Sequence, residues 1–149
     1  MRYEAEQEAK EVVPGLILGG LRELRRILAL KPDVLVPLDR LPGTVWEEGF
    51  RGEILYYPIT DYDVLPDDVL DELVNAVLAR LATGKRVAMF CAGGHGRTGY
   101  AAACVLRRQG IRNPIDFLRR NYSPSAVESE EQEYAIEKFC YRCEHEPQS

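Results

Sequence analysis

Arg86-Val87-Ala88-Met89-Phe90-Cys91-Ala92-Gly93-Gly94-His95-Gly96-Arg97-Thr98-Gly99 is the segment on which the reading of this chain turns. Its first five residues form a short, mostly apolar run that suits a buried strand, bounded on one side by Gly84. A loop with three glycines follows. Residues 98–109 are then rich in alanine and leucine-like side chains and are halted by Gly110, so a helix is expected there. Strand, tight loop and helix in direct succession are the unit of a parallel α/β sheet.

A helix that begins directly after a glycine-rich turn points unpaired N–H groups and the positive end of its dipole into that turn, which suits an anion. Gly93, Gly94 and Gly96 permit backbone angles that let the N–H groups of residues 92 to 97 converge on one oxyanion, so Ala92, Gly93, Gly94, His95, Gly96 and Arg97 are the candidate phosphate-binding residues. Cys91 ends the strand at the floor of this nest, where the same groups favour a thiolate and hence a nucleophile. Arg97 can return to the loop mouth and hold two phosphoryl oxygens with its planar fork, which lysine cannot copy. Thr98 can donate its hydroxyl to the sulfur. His95, between glycines, is expected to point outward and to contribute only its N–H. A nucleotide-binding Walker loop is excluded, because Arg97 stands where lysine is needed and Cys91 where the first glycine is needed. A rhodanese-like sulfurtransferase has no need for a glycine-rich run closed by Arg-Thr-Gly.

Outward from this segment, strands and helices alternate. Residues 12–18 read as a short strand or hairpin, and Leu21, Leu24 and Leu28 recur at helical spacing up to about Leu30 before Pro32. Residues 34–36 and 54–57 suit buried strands, with a loop over 39–52 between them. Leu70, Leu73, Val74, Val77, Leu78 and Leu81 mark one face of an amphipathic helix that Gly84 ends, with Asp67 and Asp68 as capping candidates. Asn113-Pro114 opens a short helix to about Asn121, and Ser125 or Ser129 begins a last one. The expected fold is α/β: one domain over 1–149, a central and mostly parallel sheet flanked by helices on both faces, with residues 1–11 and 144–149 frayed.

The 149 residues are 46% hydrophobic and 29% charged, a size and balance suited to one core. The net charge of −5 argues against a nucleic-acid partner and disfavours an anionic membrane surface. The start, MRYEAEQEAK, lacks the apolar centre of a secretory leader, and no run is long enough for a membrane helix, so a cytoplasmic protein is expected. Cys91, Cys104, Cys140 and Cys143 are then expected as free thiols.

Cys91-Ala-Gly-Gly-His-Gly-Arg97-Thr98-Gly99 resembles the Cys-x5-Arg-Ser/Thr signature of the protein tyrosine phosphatase superfamily, and most closely that of the small dual-specificity phosphatases. Pro58-Ile-Thr-Asp61-Tyr-Asp63-Val-Leu-Pro66 resembles the aspartate loop that lies some thirty residues before the cysteine in that subgroup. The likeness runs from about Val13 to Phe139. The order, aspartate before cysteine, differs from that of the low-molecular-weight phosphatases. The resemblance implies a cysteine-dependent hydrolase of phosphotyrosine, and of phosphoserine and phosphothreonine, that works through a phosphocysteine intermediate without metal or cofactor. It implies a phosphorylated protein or peptide as partner and a monomeric enzyme. Asp61 matches the general acid, with Asp63 as the alternative. Residues 126–132 resemble the late segment in which a glutamine orients the hydrolytic water. That residue would be Gln132, although Ser129-x-x-Gln132 is equally a helix capping box. One departure is plain: Phe90 stands where the family usually has histidine. Enzymes of the same superfamily acting on phosphoinositides or RNA 5′-phosphates share the loop, and a catalytically inactive phosphate-binding module is the alternative of another class.

The remaining features have plainer readings. Cys140-x-x-Cys143 with His145 offers too few ligands for a structural zinc site and shares a helix face with Phe139. Cys104 suits a small core position, and a resolving thiol for Cys91 is its other reading. Arg107, Arg108 and Arg112 suit a helix C-terminus. Trp46 is expected to pack and Tyr62 to sit at the rim of the site.

Overall fold

The computed structural model of the chain describes residues 8–145. Five strands form one sheet in the order β1-β2-β5-β3-β4. Strand β5, Val87–Cys91, is central, paired in parallel to β2 (Leu16–Gly20) and to β3 (Val34–Pro37), and it is buried at every residue because helices cover both faces of the sheet. Strand β1, Lys10–Val13, closes one edge as an antiparallel hairpin with β2, and β4, Glu53–Ile54, lies parallel to β3 at the other.

The period-two pleat divides the buried strand residues between two cores. Leu16, Leu18, Val34, Val36, Val87, Met89 and Cys91 face the larger one, together with the apolar sides of α3 (Asp67–Ala82), α4 (Gly96–Arg108), α5 (Pro114–Asn121) and α6 (Glu130–His145). Ile17, Leu35, Ala88 and Phe90 face the smaller one, covered by α1 (Leu24–Ala29) and the short α2 (Thr44–Glu47). Each fully buried leucine or phenylalanine side chain contributes about 1.5–3 kcal/mol by leaving water. The mostly parallel sheet with helices on both faces is therefore the expected α/β architecture. No helix among the described residues is long and apolar enough to cross a membrane.

Several boundaries differ from expectation. Helix α4 begins at Gly96, two residues before Thr98, so the end of the glycine loop is already the first helical turn and Gly99 N donates to His95 O at 3.0 Å. The 39–52 connection contains α2, and Trp46 is half exposed against Phe50, with ring centroids 6.0 Å apart. The 54–57 strand is regular only over Glu53–Ile54, although Leu55 N and Tyr57 N still donate to Leu35 O and Pro37 O. Asp67 and Asp68 make no capping hydrogen bond; they lie inside the first turn of α3, where their charge favours the dipole. The fraying expected over 1–11 and 144–149 does not hold where the structure describes it. Lys10 and Glu11 pair with Leu18 and Ile17, and Glu144 and His145 finish α6, whose Glu144 meets Arg107. Residues 1–7 and 146–149 lie outside the described part. Ser129, not Ser125, opens α6: its Oγ accepts from Gln132 N at 3.1 Å.

The carboxyl ends of the parallel strands β2, β5 and β3 meet on one edge, which is where open α/β sheets bind ligands. Gly20 is paired with Cys91, and Leu38 N donates to Phe90 O. A Cβ at Gly20 would lie 2.9 Å from the Gly93 carbonyl carbon, so the loop after β5 folds down onto bare backbone.

Candidate active site

Cys91 ends β5 at the bottom of this edge and is only 2% exposed. Its Sγ receives two hydrogen bonds, from Gly94 N at 3.3 Å and from Thr98 Oγ1 at 3.0 Å. The Thr98 hydroxyl carries one proton, and the carbonyl of Gly19, at 3.4 Å, is the longer alternative for it. The loop doubles back because Gly94 adopts φ +83°, in contact with the backbone of Gly19 and Gly20, a conformation and a closeness that a side chain would oppose. Within the 92–97 loop, Gly94 N is the backbone donor that reaches the sulfur, while Thr98, in the first turn of α4, supplies the side-chain donor.

Arg97 leaves the first turn of α4 and is 6% exposed. Its Nη1 donates to Ile59 O at 2.8 Å, and two carboxylates flank the guanidinium, Asp39 Oδ1 at 3.4 Å from Nη1 and Asp61 Oδ1 at 3.6 Å from Nε. Asp61 is exposed and also accepts from Tyr62 N at 3.0 Å. Asp63 is turned to its own loop, its Oδ1 accepting from Val64 N at 2.8 Å. Of the two aspartates singled out in the sequence, Asp61 is the one brought to Arg97. Tyr62, 57% exposed and with φ +64°, stands at the rim, its carbonyl held by Ser129 Oγ at 2.7 Å.

Gln132 is buried, and both ends of its side-chain amide are held. Its Oε1 accepts from Glu128 N and Ser129 N, and its Nε2 donates to Asp63 O at 3.3 Å. With Ser129 Oγ accepting from Gln132 N, this is the reciprocal capping box. Glu128 comes closer to the loop: its Oε1 would lie 2.5 Å from a Cβ built on Gly96.

The expectation that His95 points outward fails. The imidazole is buried and its Nδ1 lies 3.0 Å from Ser123 Oγ, because the segment after α5 passes across the outside of the loop. There Tyr122 Oη donates to Gly94 O at 2.7 Å and Val127 N to His95 O at 3.1 Å, while Arg119 holds the carbonyls of Ala126 and Val127. Burial first, and the neighbouring Cys91 second, push the Tyr122 phenol far above its usual range, so it remains a donor. Asp39, Tyr122, Ser123 and Glu128 were not singled out from sequence. Only Asp39 carried a usable signal, as a carboxylate just past the end of a buried parallel strand.

Phe90 points to the opposite face from Cys91 and is wholly buried among Ile17, Leu35 and Ile27, a place where an imidazole would have to be paired. Cys104 is fully buried in α4, and burial pushes its thiol well up, as a core residue. Cys140 and Cys143 lie on α6 against the larger core, and burial raises the Cys140 thiol. Arg107 pairs with Glu144, and Arg108 donates to Asn75 and covers the Phe139 ring.

A thiol at the floor of a backbone nest, an arginine at its wall and a carboxylate at its mouth define a cysteine-dependent phosphatase of the Cys-x5-Arg type, whose reaction passes through a phosphocysteine intermediate. The chain belongs to the family described as Swiss Army Knife protein, DSP-PTPase phosphatase domain, whose model matches residues 44–147. Among individual proteins it is similar to MJ0215 of Methanocaldococcus jannaschii, 42% identical over 108 residues that make up 70% of this chain and 68% of that one. MJECL20 of the same organism is 38% identical over 85 residues, 57% of this chain and 58% of that one. The crystal structure of Tk-PTP in the active form superposes with a TM-score of 0.78 at 28% identity, covering 91% of this chain and 97% of that one. Human DUSP28, 20% identical with a TM-score of 0.76 over 91% and 95% of the two chains, shares the fold.

Proposed function

We propose that this phosphatase hydrolyses phosphotyrosine, and also phosphoserine and phosphothreonine, in proteins or peptides. The chain acts as one phosphatase domain, and its four free thiols fit a reducing, cytoplasmic setting. The observation that carries the reading is the vertical order of the site: buried Cys91 below, Arg97 beside, exposed Asp61 above with its carboxylate 3.6 Å from the guanidinium.

In this reading the Cys91 sulfur attacks phosphorus in line with the leaving oxygen. The phosphorus–oxygen bond breaks, Asp61 gives its proton to the departing oxygen, and the phosphoryl group remains on sulfur. Water then attacks phosphorus, its proton passes to Asp61, and the sulfur leaves with its electron pair, supported by Thr98 and the Gly94 N–H. Arg97 and the 92–97 amides hold the three equatorial oxygens, the contribution expected to stabilise the transition state most. Gln132 serves as a positioning residue, since its Nε2 on Asp63 O ties α6 to the loop bearing Asp61.

The test is hydrolysis of para-nitrophenyl phosphate and of phosphotyrosine, phosphoserine and phosphothreonine peptides in EDTA, with wild type beside Cys91→Ser. Metal-independent turnover of the peptides that Cys91→Ser abolishes supports the reading. Turnover of the small ester without any peptide turnover removes the protein substrate, and vanadate binding without turnover leaves a phosphate-binding module.

A further inference from the structure

Beyond the aspartate loop the surface opens into a groove of about 670 Å³ between that loop and the start of α6. Val64, Leu65 and Tyr134 give it apolar walls, and Tyr134 is 66% exposed, so its ring is open to a bound segment. Its rim is acidic: Asp67, Asp68 and Glu131 line it, with Lys138 the one cation. Among the described residues neither Asp68 nor Glu131 is engaged in an ion pair, whereas Lys138 Nζ sits 3.4 Å from Asp67 Oδ1 and 5.6 Å from the centre of the Tyr134 ring. The groove thus already holds one cation between a carboxylate and an aromatic face, and keeps two carboxylates for another.

The groove adjoins the catalytic mouth. Val64 follows Asp61 by three residues, and at roughly 3.3–3.6 Å per residue no more than about 11 Å of chain separates them. Ser129 Oγ on Tyr62 O and Gln132 Nε2 on Asp63 O fasten the α6 wall to the loop wall, so the groove stands built beside the site. An extended polypeptide with its phosphorylated side chain over Cys91 would cross it about three to five residues away.

We infer that this groove selects the substrate: it takes the segment flanking the phosphorylated residue, and it fits a segment with an apolar side chain followed or preceded by lysine or arginine. The inference rests on the protein-substrate reading above. A polyanionic sugar or lipid headgroup meets repulsion from the same three carboxylates.

The experiment compares kcat/KM for three phosphotyrosine peptides of one length, carrying Leu with Lys, Leu with Glu, or Ser with Gly, three to five positions to either side. It uses wild type, Asp68→Lys/Glu131→Lys and Tyr134→Ala, with para-nitrophenyl phosphate as the small ester that cannot reach the groove. The expected result is preference for the Leu-Lys peptide on one side of the phosphotyrosine, lost on the order of fivefold to tenfold in the charge variant. Raising salt should erode that preference. Tyr134→Ala should weaken all leucine peptides, and turnover of the small ester should stay at the wild-type rate in both variants. Peptides turned over without preference, or a preference that survives both variants, overturn the groove and leave the protein-phosphatase reading intact. Turnover of phosphoinositide vesicles or of the small ester, with no peptide turned over, overturns both.

Discussion

Thr98 Oγ1 lies 3.0 Å from Cys91 Sγ, a hydrogen bond that spans the whole phosphate loop and joins the last residue of β5 to the first turn of α4. A hydroxyl aimed at sulfur stabilises negative charge there, which counts when the thiolate departs from phosphorus. Hydrogen bonds to charged groups contribute about 1.5–3 kcal/mol, so Thr98→Ala should slow breakdown of the phosphocysteine roughly tenfold to a hundredfold. Thr98→Ser should restore it. Rapid-quench kinetics should show a burst of phenol with phosphoenzyme accumulating in the alanine variant, and absence of any burst would mean that the bond serves another step.

Asp61 and Asp63 can be separated by leaving group. Asp61→Ala should slow aryl esters with poor leaving groups by about 10²–10⁴ and spare those whose oxygen departs unaided. Asp63→Ala removes only the Val64 N–H contact and should cost much less. A plot of log kcat/KM against leaving-group pKa, steep for Asp61→Ala and flat for wild type, is the expected pattern; equal slopes for both variants would remove Asp61 from its role.

Gly20 lies in β2, far from the loop in sequence, yet its missing side chain is where the Gly93 backbone rests. Gly20→Ala should displace the loop and reduce vanadate affinity at least about tenfold, since oxyanion contacts depend on a fit of a fraction of an ångström. Calorimetric titration with vanadate, beside a thermal melt to confirm folding, measures this. Unchanged affinity would show that the loop adapts.

Glu11 anchors the edge hairpin, accepting from Gly15 N at 2.8 Å and from the Arg86 guanidinium at 2.9 Å. The hydrogen bond from Arg86, then that from Gly15, holds its carboxyl below the ordinary value. A lowered folded-state pKa gives stability that is present above the unfolded value of about 4.3 and is lost as the pH falls through the folded one. Glu11→Gln should therefore lower the urea midpoint modestly at pH 7, and the two proteins should converge as the pH falls through the lowered folded-state value. The pair is about one third exposed, so the effect is small and should shrink in salt.

What could be read from the sequence is local along the chain. Cys91, Arg97 and Thr98 share one strand–loop–helix segment, and their spacing alone brings them together. Asp61 was legible only through the likeness of residues 58–66 to the family's aspartate loop, which left Asp63 as an alternative. The carboxylate of Asp39, the phenol of Tyr122 and the hydroxyl of Ser123 reach the site through tertiary packing, and no period or spacing announces it. His95 was misjudged for the same reason: its partner is 28 residues away on the segment after α5. Gln132 had two readings, and the geometry uses both ends of its amide within the fold. Helix starts shifted because the phosphate loop and α4 share residues, so no residue type marks a border between them.

Helix α4 is buried without interruption from Gly96 to Leu106. The arginine that grips phosphate is therefore anchored in the part of the molecule least able to accept substitution, where even one added methylene is felt. The sheet edge, the loop and this helix form a block in which chemistry and folding cannot be varied separately. Variation open to selection lies instead in the exposed ring around the mouth, the connection after β3, the aspartate loop and the first turns of α6. A lineage of such enzymes would be expected to diverge in what it recognises while the reaction it performs stays fixed.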